Sequence, residues 1–536
     1  MVSRRTSDGG NPVDKNEIRD ALHGLDPLGL PLWGRTEAAV LVLLTLREGE
    51  PHVLFTRRTA DLASHQGEVS FPGGHREAGD KTSWDNAARE AAEEVGVPVE
   101  RLERLSTLDD MLTLTGFRIT PHVAWLDGPF DAVPDPTEVA EVIWVPLASL
   151  QRQDRSSSFT VTHRGTSGSF PFFHSSGHLI WGATARITQQ LLVMLARPEE
   201  LTAAEGLDQA FRAAAARLLA GKRFIITTHV NPDADGLGSQ LALARVLRRL
   251  GREVVLANAD PVSRRYRFLY GDDAPPPPAT KHTLSLHNWA DTLVVVDTGE
   301  YKRVGRVAPL VKRMAGRLLV LDHHVSGDMG SSGDVKVADS SFSSTGEMVY
   351  RLLTTMAAPL DEDLATPLYA AIMFDTRGFR FIKGRSEPLL TGAALVAAGA
   401  DESRVQEHLF AGMTRGELLA RSRILSDLHF EHEGRFVWAF VPATLEKETG
   451  ADREEIGEAV AEMISLEEVS VAALIREEAK GRFKISLRSK ACCRVGQVAQ
   501  ALGGGGHMHA CGAMVSAPKD ELIANLTALV GEALMA

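Results

Sequence analysis

The chain is poor in cysteine: Cys492, Cys493 and Cys511 are the three in 536 residues, and two of them are adjacent. Adjacent cysteines rarely bridge each other and no zinc-type spacing is present, which excludes a disulfide framework or a cysteine-held structural metal. The natural compartment for such a chain is a reducing cytoplasm. Long apolar runs are also missing. None reaches the roughly 20 residues needed to span a bilayer, so no membrane partner is expected. Arg4 and Arg5 are followed by no apolar segment, and Met1–Asn16 therefore reads as a disordered tail rather than a secretory or twin-arginine signal. Positive charge is in deficit: 58 Lys and Arg against 70 Asp and Glu leave a net charge of −12. That balance argues against a protein that coats long nucleic acid, because such binding leans on phosphate neutralisation. Small nucleotides or very short oligoribonucleotides need only a local basic pocket.

What is present is an ordinary globular composition, 44% hydrophobic and 24% charged. A chain of this length exceeds one core and implies two to four domains. Strand-like runs at Ala38–Leu46 and Val53–Thr56 precede a strong helix over about Ser83–Val95. Further strands are expected near Ile119–Trp125 and Glu141–Val145, and a helix over about Trp181–Ala196. Beyond Pro198 a polar stretch reads as a linker. From Phe211 strands and helices alternate, which signals a parallel sheet. The boundaries expected are a disordered or partly ordered tail at 1–34, a first domain at 35–197, a linker at 198–210, a second domain at 211–390, a helical connector at 391–433 and a smaller mixed domain at 434–536.

The first constellation runs from Phe71 to Val97. It opens with a glycine turn, F-P-G-G, and ends R-E-A-A-E-E-V-G-V. Thr82 or Ser83 can cap the helix, and Gly96 with Pro98 stops it. Trp84, Ala88, Ala91 and Val95 share one face, and Glu90, Glu93 and Glu94 share another. Three carboxylates at that spacing repel one another unless a cation sits among them. Hard oxygen ligands suit Mg²⁺ or Mn²⁺, and such an ion could neutralise a diphosphate and activate water. A solvated acidic helix face is the bland alternative, disfavoured by the glycine turn and by Arg89.

The second constellation places acids and imidazoles at the ends of buried apolar segments. Arg223–Thr228 runs into H-V-N-P-D-A-D-G-L-G-S, Leu293–Val296 ends at Asp297, Leu318–Leu321 ends in Asp322, His323 and His324, and Leu368–Phe374 ends at Asp375. Ligands of open α/β sheets bind outside the carboxyl ends of the strands. Any one of these residues alone reads as a turn residue; the set reads as a metal site. A mixed His and Asp set suits Mn²⁺, and two ions about 3.5–4 Å apart can hold a hydroxide for attack on phosphorus.

Gly74–Val97 resembles the Nudix box, with Asp80 where Glu is usual and one residue more than the commonest form. Both features resemble the coenzyme A diphosphatase branch. So do an upstream motif (Leu54, Thr56, Arg58, Leu62, His65, Gly67, Val69 and Phe71–Gly74), Thr115–Pro121 and Trp181–Ala185. Ala63 and Glu68 depart from that branch. The resemblance implies an α/β/α sandwich in which Glu90, Glu93 and Glu94 bind Mg²⁺ or Mn²⁺. Arg89 would orient the carboxylates through Asp80, and Arg58, His65, Gly73 and Gly74 would face substrate.

Residues 211–390 resemble the DHH phosphoesterase family. The resemblance implies two Mn²⁺, one held by His229, Asp233 and Asp297 and the other by Asp235, Asp297, His323 and Asp375. His324 would act on the substrate phosphate, and Arg303 would supply a basic contact. Lys484–Ser489 (K-I-S-L-R-S) with Gly503–His507 (G-G-G-G-H) resembles the DHHA1 substrate-binding domain. That implies substrate contacts from Arg488, Gly504, Gly505, Gly506 and His507, the glycine loop cradling a phosphate. Phe211–Ala536 is thus similar to bacterial oligoribonucleases that also dephosphorylate 3′-phosphoadenosine 5′-phosphate.

The resemblances together imply a homodimeric, bifunctional nucleotide hydrolase that cleaves the diphosphate of coenzyme A or a relative. It would also remove the 3′-phosphate of 3′-phosphoadenosine 5′-phosphate, or degrade short oligoribonucleotides. A general nucleotide diphosphatase fused to a short-RNA exonuclease, and a Nudix sensing module that regulates the phosphoesterase, are the alternatives.

Overall fold

The computed structural model describes residues 14–59, 67–113, 115–153, 158–163, 166–175, 177–196, 201–271, 274–324, 327–490, 493–507 and 509–535. His65 lies outside them, as does the side chain of His507. The chain divides into two compact units. The first runs through Asp401, and the second comprises Glu402 onward together with the inserts at 264–271 and His324. Among the described residues no helix is long and apolar enough to cross a membrane.

The first unit opens with a helix where a partly ordered tail was expected. Lys15–Leu22 is capped by Asp14 in a capping box with Glu17, and buries Ile18 and Leu22. Two apolar residues one turn apart, in a short polar segment, are too weak a period to read from sequence. Full burial of each is nevertheless worth about 1.5–3 kcal/mol. Thr36–Arg47 is the central strand of a mixed sheet. It pairs in parallel with Phe117–Leu126 and antiparallel with Glu50–Arg58 and Gly73–His75. Its run A-A-V-L-V-L-L is buried on both faces. Leu41 and Leu43 pack towards the carboxylate helix Ser83–Val95. Val42 and Leu44 pack towards Ile18, Leu22 and the helix Gly182–Leu195. That is the α/β/α sandwich.

The linker expected at 198–210 is a helix from Ala203 to Ala220. Thr202 and Glu205 form its capping box, and Phe211, Ala214, Ala215 and Leu218 are buried. Phe211 packs on Phe342, ring centroids 5.9 Å apart. The next residue, Arg212, makes bonds of 2.5 and 2.6 Å to the two carboxylate oxygens of Asp109 in the sandwich. One helix thus ties the sandwich to the parallel sheet that follows, and both belong to one unit.

That sheet has five strands, in the order Glu253–Leu256, Arg223–Thr227, Thr292–Val296, Leu318–Asp322 and Val335–Ala338, all parallel. The chain leaves the first-formed strand, Arg223–Thr227, to one side and returns to the other. The switch point therefore lies between Arg223–Thr227 and Thr292–Val296, where doubly wound sheets bind ligands. The fourth apolar segment is not a strand. Glu362–Asp375 is a helix capped by Asp361, apolar on nearly every side because neighbouring helices enclose it. Asp375 therefore sits at a helix C-terminus.

The expected connector divides between the units. Glu387–Ala397 is a helix of the first, and Arg415–Ser426 and the strand His429–Glu431 belong to the second. The second unit is built on a six-stranded sheet ordered His429–Glu431, Phe436–Val441, Val471–Ala479, Arg482–Ser489, Ala510–Ser516, Gly505–His507. Apolar clusters cover both of its faces.

Candidate active sites

At the switch point the structure brings together six of the residues singled out in the second constellation. His229, Asp233 and Asp297 form one group with ligand atoms within 4.8 Å of one another, and Asp235, His323 and Asp375 form another. His229 Nε2 lies 3.1 Å from Asp297 Oδ2 and 3.5 Å from Asp233. His323 Nε2 lies 3.5 Å from Asp297 Oδ1, 3.6 Å from Asp235 and 3.0 Å from Asp375. The two oxygens of Asp297 thus face different groups, the geometry of a bridging carboxylate. Asp297 adopts a left-handed backbone with φ 62°, a strained conformation for a residue with a side chain. His229 Nδ1 lies 2.8 Å from the Val230 carbonyl, which fixes the ring and leaves Nε2 towards the carboxylates. Burial lowers the affinity of His229 for a proton, but Asp233 and Asp297 outweigh it and hold the ring above its ordinary value. Burial, with Asp297 and Asp375 beside it, pushes Asp235 well up. Four carboxylates with two imidazoles, four of the six buried and Asp233 and Asp375 half-buried, are a donor set that fits divalent ions.

Residues outside the motifs hold this set in place. The helix Thr345–Thr355 points its N-terminus at Asp235: the Thr345 and Gly346 amides each donate to its carboxylate at 2.8 Å. The Thr345 hydroxyl donates to Asp297 Oδ1 at 3.1 Å. The signal available in sequence was S-S-T-G-E, in which Ser344 caps the helix and accepts from Glu347 N–H. Arg303 contributes its carbonyl, which accepts from Val230 N–H at 2.6 Å and pins the His229 loop. His324 follows directly on His323 and is half-buried.

In the sandwich, the carboxylate helix is capped by Thr82 with Asp85 and ends on Gly96 at φ 70°. Arg89 is its hub. It contacts both oxygens of Asp80 at 3.2 Å, Glu90 at 2.9 Å and Glu93 at 2.8 Å, and it holds Asp80 below the usual carboxylate range. Glu94 is buried, and burial pushes its carboxyl up to about 8. Arg58 and the Gly73 amide oppose that shift; Glu90 and Glu138 add to it. Burial likewise raises Glu90, against Arg89. Glu93 is instead turned out to solvent on Arg89. A Cβ on Gly73 would lie 2.3 Å from the Ala39 carbonyl, so the turn requires glycine there; one on Gly74 would lie 2.4 Å from Glu90 Oε1 and would displace that carboxylate. The buried Nε of Arg58 has no hydrogen-bond partner among the described residues. Glu138 is the acid that sequence reading missed. It follows a long loop, in no motif, and the fold brings it to Glu90 and Glu94. Among the described residues the three box glutamates do not form a group as tight as those at the switch point. Their oxygen-only set fits a hard cation, which would offset the repulsion at Glu90 and Glu94.

Residues 35–164 match the model of the NUDIX domain, 223–372 that of the DHH family N-terminal domain and 434–535 that of the DHHA1 domain. The chain is 32% identical over 289 residues to a bifunctional oligoribonuclease and PAP phosphatase, NrnA, of Thermus thermophilus, covering 54% of this chain and 82% of the relative. Over 153 residues it is 36% identical to the Nudix hydrolase NudL of Photorhabdus laumondii, covering 28% of this chain and 82% of the relative. The chain belongs to the Nudix and DHH families. It is a hydrolase, a Nudix unit fused to a DHH/DHHA1 phosphoesterase, and both families depend on divalent metals. An exopolyphosphatase-related protein of Bacteroides fragilis shares the fold of the DHH part, with a TM-score of 0.56 and 20% identity over 61% of this chain and 96% of that one.

In the DHHA1 domain, Arg488 lies on the strand Arg482–Ser489, opposite Ala472 and Ala510. The glycine run is not a free loop. Gly505–His507 is an edge strand paired with Ala510–Gly512, and Gly504 is so close to Gly512 that a Cβ would lie 2.1 Å from its carbonyl. Glycine serves close packing there, and a phosphate cradle could come only from the outward amides of that edge.

Proposed function

We propose that the two halves act in sequence on one nucleotide. The Nudix half hydrolyses the diphosphate of coenzyme A or a close relative, using Mg²⁺ or Mn²⁺ held by Glu90, Glu93 and Glu94. The DHH half, with two Mn²⁺, hydrolyses the 3′-phosphate of the resulting 3′-phosphoadenosine 5′-phosphate to leave AMP and phosphate. The observation that carries the reading is the convergence of His229, Asp233, Asp235, Asp297, His323 and Asp375 around the two oxygens of one carboxylate. When bound, divalent ions there supply an activated water and neutralise the phosphate.

The chain's own residues do the rest. Asp297 spaces the two ligand groups, while Thr345 and Gly346 hold Asp235 and Asp297 in position. His324 contacts the phosphate and Arg303 adds a cationic contact; in the C-terminal domain, taken by itself, Arg488 is the cation for a substrate phosphate. In the Nudix half, Arg89 keeps the box carboxylates aligned. Arg58, with its unpartnered buried Nε, receives an oxygen of the diphosphate, and Gly73 and Gly74 allow the backbone to approach it.

A second reading for the DHH half is degradation of very short RNA, which likeness to the bifunctional oligoribonuclease of Thermus thermophilus favours. Incubating the intact protein with coenzyme A, Mg²⁺ and Mn²⁺ tests the first reading. AMP, phosphate and 4′-phosphopantetheine should accumulate. Coenzyme A left intact, or 3′-phosphoadenosine 5′-phosphate that forms and persists, would refute the coupling. Diribonucleotides and triribonucleotides assayed in parallel rank the second reading.

A further inference from the structure

The strand Arg482–Ser489 of the C-terminal sheet buries Phe483, Ile485 and Leu487 in an apolar cluster. Its other face carries Lys484, Ser486 and Arg488, all half-buried. Same-face residues recur every two positions, so the Cα atoms of Lys484 and Arg488 are about 13 Å apart along the strand. Arg476 is opposite Lys484 on the neighbouring strand. It is held by Glu478 at 2.6 Å, and Arg453 reaches the other oxygen of Glu478 at 2.8 Å. Arg453 also lies 3.4 Å from Glu446. Among the described residues Lys484 makes no hydrogen bond or ion pair, although it stands beside these charges. Three cations, Arg453, Arg476 and Lys484, thus meet two carboxylates, Glu446 and Glu478. This is an excess of positive charge on one sheet face in a chain of net charge −12. Burial and Arg476 hold the Lys484 ammonium below the ordinary lysine value, the state of a cation lacking an anion.

We propose that Lys484, backed by Arg476, is a second phosphate subsite on the face that carries Arg488, so that the C-terminal domain binds substrates through two phosphates rather than one. The inference rests on the reading that Arg488 takes a substrate phosphate. A single phosphate cannot span the separation between the two side chains' attachment points, so the ligand is a nucleotide with a further phosphate. The backbone phosphate of a short oligoribonucleotide supplies that chemistry, since the 3′-phosphate of a nucleoside bisphosphate is the one hydrolysed in the DHH half. Glu478 keeps Arg476 and Arg453 in place, and Lys484 is left as the mobile donor.

The test uses the full chain with Asp297→Asn to stop turnover. Affinities are measured for AMP, for 3′-phosphoadenosine 5′-phosphate and for a 5′-phosphorylated triribonucleotide across a range of salt concentrations. Lys484→Met keeps the stem and removes the charge. It should weaken the triribonucleotide about ten-fold more than AMP. It should also reduce the salt slope for the triribonucleotide by about 0.7, the contribution of one phosphate contact on a single strand. Lys484→Arg should restore both. Selective loss with the bisphosphate and none with the triribonucleotide would overturn the subsite. If Lys484→Met leaves all affinities and slopes unchanged, or weakens AMP equally, the subsite is refuted while the nucleotide reading stands. If the Asp297→Asn chain binds none of the three ligands, both fall together.

Discussion

In the DHH half four carboxylates meet two imidazoles, and Asp297 stands between them. In the Nudix half the box carboxylates meet a guanidinium, Arg89, with Arg58 acting on Glu94 from the far side. The difference is chemical. An imidazole can give up its proton and become a ligand when a cation arrives, whereas a guanidinium stays charged and never ligates. The DHH ligands are therefore already within reach of one another. The Nudix carboxylates are spread along a helix, aligned by a permanent cation, and the ion must enter beside it. One site is a buried cage; the other is an acidic row whose most buried member, Glu94, is strained by burial.

The sharpest way to break this comparison is to disable each site alone. Asp297→Asn should lower phosphate release from 3′-phosphoadenosine 5′-phosphate by at least 10²–10³-fold, on the order expected for losing a key charged group, and leave coenzyme A cleavage intact. Glu94→Gln should do the reverse. Product chromatography with metal analysis of each variant reads both. If either substitution silences both activities, the halves are not chemically independent.

Buried histidine also behaves differently outside the cage. Among the described residues, His122 in the sandwich has no carboxylate partner. Its ring bonds Thr107 and Ser83 at 3.0 Å each, the latter at the start of the carboxylate helix. Burial, with Arg104 nearby, pulls it down to about 4. Its folded value lies below its unfolded one. The stability it contributes is therefore full above about pH 6.5 and lost as pH falls towards 4, up to about 3 kcal/mol for that separation. His122→Gln should flatten the acid limb of denaturant-midpoint against pH over that window. An unchanged limb would show that the ring does not resist protonation.

Thr345 probes how far the cage depends on its support. Thr345→Val removes the hydroxyl on Asp297 but keeps the shape, and should weaken Mn²⁺ binding about 10–100-fold, the usual cost of losing a supporting contact. Thr345→Ser should restore it. Titration calorimetry with Mn²⁺ reads the difference without assaying turnover, and equal affinity in the valine variant would make Asp297 self-supporting.

These supports explain what the sequence conveyed and what it withheld. The ligands at Asp297 and His323 were legible because a buried β run and the residue just after it are local neighbours. The same reasoning left Leu368–Phe374 as an apolar segment of no stated type, since a short apolar run enclosed on all sides looks alike as strand or helix. Thr345 and Gly346 act chiefly through backbone amides, which carry no residue signature. Glu138 is delivered by tertiary closure of a loop. Nothing at Arg212 signals its tie to the sandwich, because its partner Asp109 is 103 residues away.

That last pair gives the smallest expected effect and bears most directly on whether two sites mean two bodies. Arg212 grips both oxygens of Asp109 and the Asp26 carbonyl, while Asp109 also accepts from Leu28 N–H at 2.7 Å. The cluster is partly buried, with side-chain exposures of 24% and 17% for the ion pair, so it escapes much of the screening that makes surface pairs nearly neutral. Arg212→Ala leaves Asp109 half-satisfied and should cost about 1–2 kcal/mol. Because the sandwich and the parallel sheet each keep their own core, that cost falls on the joint between them. Calorimetry should then resolve sandwich melting as an earlier transition, separate from that of the parallel sheet. A single transition shifted as a whole would mean that the joint is held by the wider packing of the helix Ala203–Ala220, with the ion pair incidental to it.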